Sequence, residues 1–246
     1  MPTWLIKILK LILILFLPLF LLLGSVRLLA TDQYLAFEYG KADFPPDTYG
    51  FTQSQRLMFA SANLRFVRDN QPIDALASQT LDGQAIYNPR ELSHMLDVQK
   101  VFQSAWRAWI IVGIVLLAAG LLLWQAENHE ALPAAIQSGG FLTSSLMLGI
   151  GLFAIIAWQG WFSSFHLVFF GPGSWLFEYS DTLIRLFPKK FWFDTALTLL
   201  GSSLAGGLLL VMLGRRWLMQ LGCRQGLENL RKMIEAKPPA RASGGR

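Results

Sequence analysis

Four stretches of this sequence are each long and apolar enough to cross a lipid bilayer, and nothing else constrains the fold as strongly. Residues 8–29, 106–124, 141–162 and 192–213 each approach or exceed the roughly 20 apolar residues that a spanning helix needs. At ~1.5 Å per residue, each reaches about 30 Å as a helix. An open strand would leave backbone groups unpaired in lipid, so the helix is the only form available. Composition agrees. Of 246 residues, 53% are hydrophobic and 15% charged, where a soluble domain carries about 25% charged. Such a balance excludes a disordered chain, a coiled coil, a disulfide scaffold and an ordinary soluble enzyme.

Tryptophan marks the ends of these stretches. Trp106, Trp109 and Trp124 bracket the second, Trp158 and Trp161 close the third, and Trp192 and Trp217 bracket the fourth. Indole prefers the headgroup level, with its body in lipid and its N–H in water. Lys7 and Lys10, followed by an apolar core over residues 11–23, resemble a signal peptide. However, Arg27 stands where a cleavage site needs small residues, and residues 28–31 contain no small-x-small pattern. We read it as an uncleaved signal-anchor.

Lys and Arg set the expected orientation. The N-terminus carries Lys7 and Lys10, and Arg215, Arg216, Arg224, Arg231, Lys232, Lys237, Arg241 and Arg246 follow the fourth span. Both termini are therefore expected in the cytoplasm, with residues 30–105 and 163–191 outside. The expected architecture is an all-α membrane protein of one domain, residues 1–246. Its four-helix transmembrane bundle carries a large extracytoplasmic segment (30–105) between spans 1 and 2. An interfacial or re-entrant segment (163–191) lies between spans 3 and 4, and a basic cytoplasmic tail (214–246) follows. Residues 215–235 read either as an amphipathic helix on the inner membrane surface or as a solvated extension of the fourth span. Residues 237–246 read as disordered. Cys223 is the only cysteine, so no intrachain disulfide and no outer thiol nucleophile are available.

The outer segment carries its own local signals. Residues 53–67 read as a helix, and Asp82-Gly83 as a turn between short strands. In Asn88-Pro89-Arg90-Glu91, Asn88 suits an N-cap, Pro89 the first helical position and Glu91 a capping box. The helix that begins there should run through His94 and Val101 toward Trp106.

Three histidines are the candidates for chemistry. His129 reads as a solvated loop residue. His94 shares a helical face with Glu91 and Asp97, at i−3 and i+3. It reads either as an exposed histidine with ordinary charged neighbours or as an imidazole tuned by a carboxylate. His166 sits among aromatics before Gly171-Pro172-Gly173, which cannot continue a regular helix. It reads either as an interfacial ring bonded to a carbonyl or as a functional group held near the membrane. The sequence has no P-loop, G-x-G-x-x-G, H-E-x-x-H, C-x-x-C or G-x-S-x-G motif. Ser93, Ser163 and Ser164 adjoin histidines but point elsewhere on a helix, which disfavours a triad. Two histidines with Asp97 or Asp181 form a conceivable zinc set, but the spacing is not that of a zinc site. Neither a metal nor another cofactor is expected. The small residues Gly201 to Gly207 read as a packing face.

From Glu91 the chain reads E-L-S-H-M-L-D-V-Q-K-V-F. From Phe165 it reads F-H-L-V-F-F-G-P-G-S-W-L-F-E-Y-S-D-T-L-I-R-L-F-P-K-K-F-W-F-D. These two stretches resemble the family of small four-span bacterial membrane proteins that includes lipoprotein intramolecular transacylase, Lit. The resemblance implies an acyltransferase of the bacterial cytoplasmic membrane acting on diacylglyceryl lipoproteins in contact with membrane phospholipid, with no nucleic-acid partner. The implied reaction moves the sn-2 acyl chain from glycerol oxygen to the α-amino group of the lipoprotein's N-terminal cysteine, giving a lyso-form lipoprotein. The matching positions are His94 and His166. Such a transfer needs a base for the amine and a donor for the oxyanion or leaving oxygen. His94 is expected as base, supported by Asp97, with His166 as acid or electrophile; the reverse assignment suits the chemistry almost as well. Phe169, Phe170 and Trp175 are expected to wall the acyl chain, and Asp181 to orient a histidine. Two competing readings are a non-enzymatic membrane partner or scaffold protein and a zinc-dependent outer-face hydrolase.

Overall fold

The computed structural model describes residues 1–235; the disorder expected for 237–246 lies outside the described residues. Four long helices dominate: α1 (Thr3–Leu29), α5 (Pro89–Trp124), α6 (Ala131–Ile156) and α9 (Lys189–Glu235). All four are long and apolar enough to span a membrane. Helix α1 is the hub, packing against α5, α6 and α9, while α6 and α9 pack closely along each other. Leu9 and Leu13 of α1 meet Val112, Leu116, Ala119 and Leu123 of α5 and Ala131 and Ala135 of α6. Many other apolar side chains of these helices are exposed, among them Ile111, Ile114, Leu117 and Ile155. That is the pattern of a surface solvated by lipid rather than water.

Close approach of α6 and α9 depends on missing side chains. A Cβ on Gly140 would sit 2.6 Å from the Gly207 carbonyl oxygen, and one on Gly207 would sit 2.8 Å from Ser144 Oγ. Glycine at both positions lets the backbones meet.

The third apolar helix is displaced from the expected 141–162 and starts at Ala131. Pro133 falls in its first turn, where no intrahelical N–H bond is lost. Gly139 and Gly140, just outside the expected span, are helical contact points against Leu17 of α1 and Gly207 of α9. The helix ends at Ile156 because Ala157 adopts φ −131° and ψ 53°. Trp158 and Trp161 therefore open a separate helix, α7 (Trp158–Phe169), rather than closing the span. Helix α9 runs without a break to Glu235, so residues 215–235 continue the fourth span rather than forming a distinct surface helix. At ~1.5 Å per residue its length is about 70 Å, roughly twice the bilayer core.

A smaller layer covers one end of the bundle. It contains α2 (Asp32–Tyr39), α3 (Gln53–Arg68), α4 (Asp74–Ala77), a hairpin of β1 (Thr80–Leu81) and β2 (Gln84–Ala85), and α8 (Thr182–Leu186). The hairpin is the one departure from an all-α chain among the described residues. Asp82 and Gly83 both take positive φ, as its two-residue turn requires. Phe59, Phe66, Leu76, Tyr87, Met95, Leu183 and Leu186 form the apolar core of this layer. Segments before α5 and after α7 therefore fold together at one end.

Buried ions fasten the layer. Arg185 holds Asp47 through two 3.0 Å contacts, and the Asp47 side chain is 1% exposed. Arg56 donates to the Arg185 carbonyl at 2.9 and 2.7 Å and to the Pro45 carbonyl at 2.8 Å. Burial alone would raise the Asp47 carboxyl, but Arg185 and the Phe51 and Tyr49 N–H groups outweigh it and hold it below the usual range. Lys41 bonds Glu38 at 2.8 Å and Asp194 at 2.9 Å, tying α2 to α9.

Candidate active site

Helix α5 begins where its sequence requires. Asn88 Oδ1 accepts from the Glu91 N–H at 3.0 Å, and Glu91 Oε2 accepts from the Asn88 N–H at 2.9 Å. This capping box sets the start of the helix and so the direction of His94 in its second turn. Helix α7 positions His166. The His166 Nδ1 lies 2.8 Å from the Phe162 carbonyl oxygen, one turn earlier. A carbonyl only accepts, so Nδ1 carries the proton and the lone pair of the neutral ring is on Nε2.

The segment after α7 brings the two histidines together. Gly173 takes φ 79°, and the Gly171 carbonyl accepts from Ser174 N–H at 3.2 Å and Ser174 Oγ at 2.8 Å. This tight turn lays Trp175 over His166, with ring centroids 4.6 Å apart. Four bonds then stitch the segment to the start of α5. Arg90 donates to the Leu176 carbonyl at 2.6 Å. Asn88 Nδ2 donates to Asp181 at 3.0 Å, Thr182 Oγ1 to the Ile86 carbonyl at 2.6 Å, and the Leu183 N–H to Glu91 Oε1 at 2.7 Å.

Both imidazoles contact one ring. Phe170 lies 5.0 Å from His94 and 5.6 Å from His166, centroid to centroid, which bounds the histidine separation by the sum of the two. Phe177 packs 5.4 Å from His94, and Phe162 lies 4.1 Å from His166. Burial in this aromatic shell lowers the His166 pKa below the ordinary imidazole value, against the opposing effect of the Phe162 carbonyl. Two polar atoms here are buried without a hydrogen-bond partner: His94 Nδ1 and Trp175 Nε1. Each is free to serve a bound molecule.

The other expected residues divide. Phe170 and Trp175 line the pair of histidines. Phe169 instead packs on Phe165, at 5.0 Å, and both are largely exposed. Asp97 forms an exposed ion pair with Lys100 at 3.0 Å and makes no hydrogen bond to His94 Nδ1. Asp181 accepts from Asn88 and, at 2.9 Å, from the Glu178 N–H. Its place is to hold the segment, and it bonds neither histidine. Sequence reasoning did not single out Phe162, Phe177 or Arg90. Phe162 was accessible as the residue four before His166 on a helix. Phe177 and Arg90 meet only because the chain folds back, with the guanidinium 5.7 Å from the Phe177 ring centre.

Comparison with known proteins adds three findings. The family described as lipoprotein intramolecular transacylase Lit matches residues 11–192. An uncharacterized protein of Aquifex aeolicus (strain VF5) is 31% identical over 220 residues, covering 88% of this chain and 99% of that one. A solved structure of the membrane integral lipoprotein intramolecular transacylase Lit from Bacillus cereus superposes with a TM-score of 0.73. It is 17% identical and covers 90% of this chain and all of that one (100%). A variant of that protein with one histidine replaced by alanine gives a TM-score of 0.62 at 17% identity, covering 89% of this chain and 96% of that one.

Proposed function

The chain belongs to the lipoprotein intramolecular transacylase family, Lit, and is thus an integral membrane acyltransferase; on that premise we propose that His94 and His166 together carry an O-to-N acyl shift on the N-terminal cysteine of diacylglyceryl lipoproteins. The observation that carries this reading is the pair of imidazoles that both contact Phe170, in an apolar shell at one end of the bundle.

An α-amino group has a pKa of about 8, so a base must hold it unprotonated for attack and take the proton released as the C–N bond forms. The free Nε2 of His166 suits that base, and its bond to Phe162 supports this assignment over the reverse. His94, with Nδ1 unbonded, suits the electrophile that polarises the departing glyceryl oxygen, while His166 hands on the proton it has taken. Amine and ester belong to one molecule, so holding them together supplies much of the acceleration. Phe170 and Trp175 suit the acyl-facing wall. The donors of a zinc site find no comparable support, because Asp97 and Asp181 are bonded elsewhere.

The substrate's acyl ester lies at the membrane surface outside the cytoplasm, and the charge distribution supports the same side for the site. Lys7, Lys10, Arg215, Arg216, Arg224, Arg231 and Lys232 all belong to the helix ends away from the α2–α4 layer. Co-expression of a lipoprotein with wild type, His94→Ala or His166→Ala tests the reading. Wild type should block the lipoprotein's N-terminal amine toward amine-reactive labelling, and each variant should leave it free. Equal blocking by both variants would remove the histidines from the chemistry and favour a scaffold role.

A further inference from the structure

We infer that the indole N–H of Trp175 is the donor that stabilises the oxyanion formed when the cysteine amine attacks the glyceryl ester, an assignment that rests on the function proposed above.

A buried indole N–H ordinarily finds an acceptor, because leaving it unpaired costs free energy. Trp109 illustrates the rule in this chain, donating to the Phe20 carbonyl at 3.1 Å. Trp175 breaks it: Nε1 is buried and bonds nothing. Indole is a donor only, so whatever satisfies Trp175 must bring an oxygen or nitrogen lone pair.

The position of Trp175 is fixed on both sides. The Gly171–Ser174 turn anchors it before, and the Arg90 bond to the Leu176 carbonyl anchors it after. Its ring lies on the imidazole of His166 and edge-on to Phe162, with centroids 4.6 and 6.1 Å away. A fixed, dehydrated donor beside the base is what oxyanion stabilisation requires, since it needs no reorganisation as charge develops. The substrate's ester carbonyl is the acceptor that gains charge there. The other orphan, His94 Nδ1, belongs to a ring that can accept as well as donate, whereas indole can only donate.

The step balances as follows. The amine lone pair forms the C–N bond while the carbonyl π pair moves onto oxygen, which accepts the Trp175 hydrogen bond without taking its proton. His166 Nε2 takes the amine proton. Collapse re-forms the carbonyl and breaks the C–O bond, and the glyceryl oxygen receives the proton that His166 took from the amine, while the His94 ring polarises that oxygen as a hydrogen-bond donor. Products are an amide and a free glyceryl hydroxyl. Both rings end neutral, as they began.

Two substitutions at 175 test this in purified protein with a diacylglyceryl lipopeptide. Trp175→Phe removes the N–H with part of the ring. The benzothienyl analogue of tryptophan keeps the bicyclic ring and replaces N–H with sulfur. Both should lower kcat about 100- to 1,000-fold, with KM changed little and the acid limb of the pH profile unmoved. Wild-type kcat in the benzothienyl protein would overturn the assignment and leave the proposed function standing, since a packing role survives that exchange. Absence of N-acyl product with wild type would overturn both.

Discussion

The carbonyl of Phe162 decides which nitrogen of His166 is available, and burial decides over what pH range the ring is neutral, as the proposed base must be. The lowered pKa keeps the ring neutral, and hence basic, into more acidic solution than a free imidazole allows. The substrate amine alone makes kcat/KM fall below pH about 8, and His166 should add a second, steeper fall only below 6.5, the ordinary imidazole value. A profile of kcat/KM against pH checks this; a second break at or above 6.5 would contradict it. At this scale the sequence exposed the two histidines, because a titratable ring in apolar surroundings is costly and stands out. It could not resolve their partners. Asp97 lies three residues from both His94 and Lys100, and spacing alone does not say that Lys100 takes it. Phe169 and Phe170 are neighbours in sequence, yet helix α7 ends between them, and only Phe170 turns toward the imidazoles.

Helix packing and the small layer give predictions of stability. Gly140→Val should drive α6 and α9 apart, because even its Cβ meets the Gly207 carbonyl. The cost should be at least about 1–3 kcal/mol, read as a lowered Tm in detergent. Gly149→Val is the control, since nothing lies within 4 Å of a Cβ there, and it should leave Tm unchanged. Asp47→Ala leaves the Arg185 guanidinium buried without its carboxylate, a loss of about 3–5 kcal/mol, also visible in Tm. Because the Asp47 pKa is depressed in the folded protein, its contribution is complete above the ordinary carboxylate value near 4. It is lost as pH falls through the native value. The Tm gap between wild type and Asp47→Ala should therefore narrow at low pH, and a gap constant with pH would contradict this. The start of α5 was legible because capping chemistry is local. The clamp of Asp47, Arg56 and Arg185 was not, since it joins residues more than a hundred positions apart. Helix α6 begins at Ala131, ten residues before the apolar stretch expected at 141, because a helix does not start where its apolar run does.

Taken whole, the molecule is a bundle with the proposed site at one end and an excess of basic over acidic residues at the other. Four apolar stretches made its class plain, since lipid permits little besides helices. The shape of the site was hidden, because it depends on residues 170–183 folding back onto the first turn of α5. The proposed orientation has a simple probe. Cys223 is the only cysteine and is exposed on the extended part of α9. A membrane-impermeant maleimide should label it in inverted vesicles and spare it in intact spheroplasts; labelling in spheroplasts would reverse the topology. The central claim, an acyl shift within one molecule, conserves mass, so intact mass cannot detect it. Tandem mass spectrometry of the N-terminal peptide can, after purified protein has acted on a synthetic diacylglyceryl lipopeptide. The account predicts fragments with one acyl chain on the cysteine nitrogen and one on glycerol, without any change in total mass. Fragments retaining both chains on glycerol and a free amine would contradict it.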